Sequence, residues 1–332
     1  MVTIKTIAKL ANVSNTTVSR ALNNSPRITP ETKTKILKIA NELGYEPNLN
    51  ARSLVTNKSY TVGLFFSNIT SGTSRSFLTE AINAFYKYLS HSYTLSINAI
   101  NDLPNFESIN HRFDGICIIS QSTDDDAFIN YVTSQRIPVV VLNRRVSMTN
   151  VPNVYFDEYL AARQIAEYGV KLGHKRFGLI QGICNFASSV NRQRGYIETL
   201  KRYDINLGKS LIFPGDYTMQ SGYRAMKQIL LMQEPPTFVF ASNDDMAMGA
   251  YKACAELNVH IPDDISIVGF DDSDFSEYLT PALTTVQKPI TDMGKIGIQW
   301  LSQLMSKEAL PEIVCAVPPE LMIRNSVKKI NY

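Results

Sequence analysis

From Thr61 onward the chain carries seven short apolar runs, most of them separated by amphipathic stretches, and this alternation narrows its possible folds more than any other feature. The runs lie at 62–66, 95–99, 115–119, 139–142, 177–181, 237–241 and 265–270. Each has the length of a strand, while the intervening stretches 77–89, 159–172, 192–203, 223–231 and 246–257 repeat their apolar residues at helical spacing. Strands alternating with helices predict parallel sheets covered by helices on both faces. Residues 60–332 exceed what one core accommodates, so two lobes are expected. The segments 284–289 and 314–323 are placed to cross between those lobes.

The first 58 residues follow another rule. They hold nine Lys and Arg against Glu31, Glu42 and Glu46, a net of +6, whereas the whole chain carries only +3, leaving −3 for the remainder. A basic head on a mildly acidic body points to a polyanion met by the head alone. Thr3 is suited to cap a helix with apolar positions Ile4, Ile7, Ala8 and Ala11, which Asn12 and Val13 break. Ser14 is suited to cap a second helix over 15–23 that buries Val18, Ala21 and Leu22. Its outer face is then Asn15, Thr16, Thr17, Ser19 and Arg20, all hydrogen-bonding side chains. A third helix begins at Thr29 and Pro30, buries Ile36, Leu37, Ile39, Ala40 and Leu43, and stops at Gly44.

Two short helices joined by a tight turn, the second polar outside, form a helix-turn-helix, and short Asn or Thr and long Arg reach base edges in the major groove. A small three-helix protein-interaction module is the competing reading. Between head and body lies Y-E-P-N-L-N-A-R-S-L-V-T-N, residues 45–57, which has caps and helix-tolerant residues in place of the Gly and Ser of a plain tether. It reads as a short conditional helix.

These residues resemble the lactose repressor/galactose repressor family of bacterial transcription regulators. The resemblance is carried by T-I-K-T-I-A-K-L-A-N-V-S-N-T-T-V-S-R-A-L-N, then I-T-P-E-T-K-T-K-I-L-K-I-A-N-E-L-G-Y-E-P-N and A-R-S-L, nearly continuous from Thr3 to Leu54. One departure is Thr6, where the family usually has Asp. The resemblance implies that Asn15, Thr16 and Arg20 read bases, with Ser14, Thr17 and Ser19 nearer phosphates. It further implies that Leu54 wedges into the minor groove beside Arg52, unstacking a base step at about a few kcal/mol. Thr3, Asn23, Asn48 and Ala51 complete the expected DNA-facing set.

In the body, V-N-R-Q-R-G-Y, G-H-K-R-F-G-L-I, A-S-N-D-D-M-A-M-G-A, D-I-S-I-V-G-F-D-D, L-T-T-V-Q-K-P and E-L-M-I-R-N-S look like the family's effector domain. That domain is similar to two-lobed periplasmic sugar-binding proteins. Ligands of such sheets bind beyond the carboxyl ends of the strands, where Asn243-Asp244, Asp271-Asp272 and Arg192 fall. Carboxylates there accept from vicinal hydroxyls and Arg or Asn donates to ligand oxygens. The expected effector residues are Arg192, Tyr217, Asn243 and Asp271, with Phe275 and Arg75 as weaker members. Asn243 and Asp272 have a second reading as helix caps, and Arg75, in G-T-S-R where relatives carry other residues, as a solvated helix start.

His174 reads as a structural hydrogen-bonding residue and 124–126 as a surface acidic run or helix start. The connection from Asn98 to Phe113 is short for the family, so its helix is expected to be truncated and interface details there are open. Cys117, Cys184, Cys254 and Cys315 are far apart with no C-x-x-C, which favours buried reduced thiols over a metal site. No phosphate loop, nucleophile elbow, zinc-protease or dinucleotide motif occurs, so neither an enzyme nor a cofactor is expected. With no run of 18 apolar residues and no leader, the chain reads as cytoplasmic. No leucine heptads follow R-N-S, which favours a dimer over a coiled-coil tetramer.

The expectation is a helix-turn-helix head over 1–46, a hinge helix and linker over 47–59, and a two-lobed α/β effector and dimerisation domain over 60–332. Functionally this is a repressor of a carbohydrate-utilisation operon, a homodimer on pseudo-palindromic operator DNA controlled by a sugar-like effector. The rivals are a purine or phosphoprotein corepressor within the family, and a cytoplasmic solute-binding protein outside it.

Overall fold

The computed structural model describes residues 2–22, 25–45, 58–70 and 72–330. The hinge and, of the DNA-facing set, Asn23, Asn48, Ala51, Arg52 and Leu54 lie outside the described residues. The chain forms two compact units, 1–59 and 60–332.

The first unit is three helices, α1 (Ile4–Ala11), α2 (Asn15–Leu22) and α3 (Pro30–Glu42). Their inward faces, Ile7, Ala8, Ala11, Val18, Ala21, Ile36 and Ala40, make one small core. At the start of α1 the Thr3 N–H donates to the Thr6 hydroxyl at 3.4 Å, so Thr6 itself reaches back across the first turn. Asn12 ends α1 in the left-handed region at φ 55°, and Ser14 caps α2 by accepting from the Thr17 N–H at 3.1 Å. Thr29 does the same for α3, accepting from the Thr32 N–H at 3.4 Å. Leu37 departs from expectation at 39% exposure. It follows Ile36, which is fully buried, and one residue is about 100° round a helix, so only one of the two can face this narrow core.

The second unit runs β1 (Thr61–Phe66), α4 (Arg75–Tyr88), β2 (Thr94–Ala99), β3 (Gly115–Ile119), α5 (Asp126–Ser134), β4 (Val139–Asn143), β5 (Asn153–Phe156), α6 (Glu158–Lys171), β6 (Phe177–Gln181), α7 (Ala187–Arg202), β7 (Ile212–Pro214), α8 (Met219–Leu230), β8 (Phe238–Ala241), α9 (Asp244–Glu256), β9 (Ser266–Val268), β10 (Thr285–Gln287), α10 (Ile290–Met305), β11 (Val314–Val317) and β12 (Glu320–Met322). The first lobe is a six-stranded sheet ordered β11-β5-β4-β3-β1-β2, the second a four-stranded sheet ordered β7-β6-β8-β9. All pairings within both sheets are parallel. Every residue of β3 and β4 is buried, as strands covered on both faces require.

Strands β5 and β7 escaped the periodicity. Strand β5 opens on Asn153, a polar residue buried because its amide donates to the Val141 and Arg144 carbonyls and its oxygen accepts from the Val146 N–H. Strand β7 is three residues ending at Pro214, too short for a pattern. Between Asn98 and Phe113 the chain makes two 3-10 turns, Ile100–Asp102 and Phe106–Ile109, in place of a full helix.

The chain passes between lobes after β5, between β10 and α10, and between β11 and β12. Helix α10 packs on α4 and β4 of the first lobe, β11 pairs with β5, and β12 turns back antiparallel on β10. The two predicted crossing segments are therefore crossings. Phe156 meets Phe270 edge-on at 6.0 Å where the lobes adjoin.

Candidate functional site

The strand ends of the two lobes face a narrow cleft of about 30 Å³, lined among others by Gln121 and Asn143 from the first lobe and Arg192, Tyr217, Asn243 and Asp271 from the second. Four of the six expected effector residues thus meet in one place. Three lining residues without the freedom of glycine sit at positive φ, namely Asn143 at 84°, Tyr217 at 67° and Asp271 at 111°. Backbone of this kind persists only where its surroundings hold it, and it clusters at ligand sites.

Arg192 lies in the second turn of α7, 3% exposed. Its Nε donates to Glu158 at 2.6 Å, one terminal nitrogen reaches Asp271 at 3.5 Å, and the other donates to the Ser242 carbonyl. The guanidinium lies 3.5 Å over the Phe270 ring. The Glu158 carboxylate also accepts from Lys288 Nζ at 2.8 Å. Glu158 and Lys288 are 5% and 3% exposed. This is a fully buried alternation of charges, Lys288 to Glu158 to Arg192 to Asp271.

Burial by itself raises the Glu158 pKa, but the charges and hydrogen bonds of Arg192 and Lys288 outweigh it and hold the carboxyl below its usual range. Burial raises Asp271 to about 6 against the opposing pull of Arg192 and Lys288. Within this alternation of four charges Asp271 is therefore the acid that a modest fall in pH or a ligand donor can alter, while Glu158 stays an anion.

Tyr217 reaches the cleft because Gly182, at the end of β6, leaves room for its ring: a Cβ there would lie 2.2 Å from the ring carbon Cζ. The hydroxyl is 3.2 Å from Ser188 Oγ, and the ring stands 6.2 Å from Phe186. Asn243 caps α9, accepting from the Met246 N–H at 2.9 Å, and its amide donates to the Tyr217 carbonyl at 3.2 Å. It thus lines the cleft as a cap that fixes the Tyr217 loop. Asp244 turns away from the cleft, bound by Ser273 N–H, Ser276 Oγ and Thr285 Oγ1 at 2.7–2.8 Å. Asp272 makes an ion pair with Arg324 at 2.7 Å in place of capping a helix.

The remaining two expected members are elsewhere. Phe275 and Arg75 line a separate groove with Glu80 and Asp274, and Arg75 is exposed at the first position of α4. Phe275 was a weaker candidate for an aromatic face in the cleft, but the chain turns through 3-10 geometry after Phe275 and carries the ring off. Conversely, Glu158, Lys288, Gln121, Asn143 and Phe186 belong to the site or its support and were not anticipated. K-P in L-T-T-V-Q-K-P, a cation at a crossing segment, was the one visible signal.

His174 is 2% exposed, its ring nitrogens each 3.0 Å from a partner, Thr237 Oγ1 and the Lys328 carbonyl, a structural role. The acidic run is not a surface feature at its centre: Asp125 is buried, accepting from Ser67 and Ser120 hydroxyls at 2.6 Å. Cys117 and Cys254 are buried and Cys315 half-buried, but Cys184 is exposed, and all four are free. Among the described residues no cluster of His, Cys, Asp and Glu is arranged for a metal, and no helix is long and apolar enough to cross a membrane.

In the head, Ser14, Asn15, Thr16 and Arg20 are exposed and Thr17 and Ser19 half-buried along α2, with Thr3 exposed at the start of α1. No acidic residue lies on α1 or α2, which leaves a face of hydroxyls, amides and cations suited to a polyanion.

Comparison with known proteins agrees with both halves. Residues 3–48 match the model of bacterial regulatory proteins of the lacI family, and residues 166–327 match a periplasmic binding protein-like domain. The chain is 44% identical over 331 residues, 99% of each chain, to a Bacillus subtilis (strain 168) protein named as a probable HTH-type transcriptional repressor ExuR. It is 31% identical to catabolite control protein A of Priestia megaterium, covering 98% of this chain and 99% of that one. Its fold matches the lac repressor dimer bound to operator and the anti-inducer ONPF with a TM-score of 0.82 at 25% identity, over 98% of this chain and 99% of that chain.

Proposed function

The chain belongs to the lacI family of bacterial regulatory proteins and is a DNA-binding transcriptional repressor, and from that premise we propose that a small polyhydroxylated effector, lodged between the lobes, sets its hold on operator DNA. The observation that carries the reading is the cleft itself. Arg192 and Asp271, fixed by the buried charge chain, stand beside Tyr217 and Asn143 along its lining. Donor, acceptor and ring face together match a sugar, whose hydroxyls both give and accept and whose C–H face packs on an aromatic ring.

The heads act as a pair on a pseudo-palindromic operator, as expected for a homodimer. Arg20, Asn15 and Thr16 read bases, and the surrounding cations give a salt-dependent affinity. Effector binding shifts operator affinity by about 1–3 kcal/mol, the usual size of such couplings. The expected target is a carbohydrate-utilisation operon.

The test is fluorescence anisotropy of the full chain with DNA from upstream of its own locus, at fixed moderate salt, with and without sugars. Specific binding that one sugar class alters supports the reading. No sequence-specific complex under any of these conditions rejects it. A parallel thermal-shift panel in which purines alone stabilise the protein would replace the sugar by a purine.

A further inference from the structure

Beside the effector cleft, and sharing Asn143 and Ser188 with it, lies a larger groove of about 450 Å³ between the same two lobes. Three arginines line it, Arg144 and Arg145 from the loop after β4 and Arg194 from α7. Arg144 is neutralised, its guanidinium bound to Asp126 and to the Ser120 hydroxyl. Among the described residues Arg145 and Arg194 make no ion pair and no hydrogen bond.

Both are held by aromatic rings instead. The Arg145 guanidinium lies 5.6 Å from the centre of the Tyr155 ring and that of Arg194 5.0 Å from the Tyr159 ring. Tyr159 is itself anchored, donating to Glu198 at 2.8 Å. Held in this way, each planar fork keeps its N–H donors open and loses less freedom on meeting an oxyanion than a solvated side chain would. Neither acidic residue of the groove pairs with them. Asp157 accepts from the Leu160 N–H as the cap of α6, and Glu158 is taken by Arg192 and Lys288.

Asn143 joins this groove to the cleft. It is 4% exposed, its amide donates to the Ser120 carbonyl at 2.8 Å, and its Oδ1 has no hydrogen-bond partner. A buried acceptor left open costs about 1–3 kcal/mol unless something donates to it. A ligand hydroxyl at the junction of the two spaces would do so.

We propose that the groove is an oxyanion site continuous with the effector cleft, so that the natural effector is a sugar bearing an anionic group, with its hydroxyls in the cleft and its carboxylate or phosphate forked between Arg145 and Arg194. Because the two arginines come from different lobes, the anion would also tie the lobes together. This rests on the sugar reading of the cleft and adds the charge.

The experiment is titration calorimetry on the full chain without DNA, using D-glucose and D-galactose, their uronates, their 6-phosphates, and inorganic phosphate as probes. An acid is expected to bind wild-type protein about tenfold or more tightly than its parent hexose, the gain of a charge-assisted fork, and Arg145→Gln/Arg194→Gln should bind the two alike. An advantage confined to uronates assigns a carboxylate, and one confined to 6-phosphates a phosphomonoester. Equal affinity of acid and parent overturns the proposal, as does an advantage that survives in the double variant or the failure of every anionic probe to bind at 10 mM. Since no DNA is present, loss of operator binding would reject the repressor reading separately, and loss of the anionic advantage alone would leave that reading standing.

Discussion

Replacing Arg192 by Met removes the centre of the buried charge chain while keeping much of its volume. Glu158 keeps Lys288 at 2.8 Å, but Asp271 loses its ion pair, the only one it makes among the described residues, and the Ser242 carbonyl loses its donor. Breaking a buried ion pair from one side costs about 3–5 kcal/mol, because the remaining charge stays desolvated. At about 2–4 °C per kcal/mol for a domain of this size, the melting temperature should fall by roughly 6–20 °C at pH 8. The penalty should shrink toward pH 5. Asp271 already has a raised pKa of about 6, and a stranded Asp271 is protonated below it and no longer strands a charge. Thermal melts of Arg192→Met, Glu158→Gln and the double variant at both pH values supply the check. The two changes should be non-additive by about 1–3 kcal/mol, as residues in one network are. A loss under about 1 kcal/mol at pH 8, or additivity within about 0.5 kcal/mol, would refute the claim that this chain of charges acts as a unit. In operator-binding assays the variant should hold DNA and ignore effector.

Glu80 should make the protein less stable as pH rises. Burial and the nearby Asp271 and Asp274 raise its pKa from 4.5 to about 8, so the native state keeps a proton that the unfolded chain releases. Stability is then full below about pH 4.5 and declines up to about pH 8. Glu80→Gln should flatten that decline and, discounted for partial exposure, gain about 1–2 kcal/mol at pH 8; a parallel pair of pH–stability curves would rule it out. Asn243→Ala should cost about 1–2 kcal/mol through the lost cap of α9 and loosen the Tyr217 loop, read as weaker effector binding beyond the stability change. Leu54→Ala should weaken specific operator binding by about a few kcal/mol with the ligand-induced thermal shift intact. Unchanged operator affinity would remove the wedge.

The head was legible in the sequence because its determinants are local. A cap at Ser14, a left-handed break at Asn12 and apolar spacing in α2 all lie within one turn of what they control. The strands of the body were legible where both faces are apolar, and β5 was missed because its first residue is a buried Asn serving the backbone. In the cleft, Arg192, Asn243 and Asp271 were placed because each follows a predicted strand in a recognisable motif, and Tyr217 because the family resemblance puts an aromatic residue there. Their supports were not, because Glu158 and Lys288 are 130 residues apart and meet only where two crossing segments run side by side. Asn143 stood at the end of an apolar run with nothing nearby to mark it. Its open acceptor is a property of three dimensions.

The position of β11 has a bearing on synthesis. The first lobe begins at Thr61, yet its sheet takes its edge strand from Val314–Val317, so β5 stays without that neighbour until the whole second lobe up to β11 has left the ribosome. Domains that fold during synthesis do so from the N-terminus at about 5–20 residues per second. The three helices of the head emerge before the body and their core is made of their own residues. For an interval of roughly 10–50 s at that rate the nascent chain carries a finished head on an unfinished body. A regulator made in this order acquires its DNA-binding surface before the lobes that govern it.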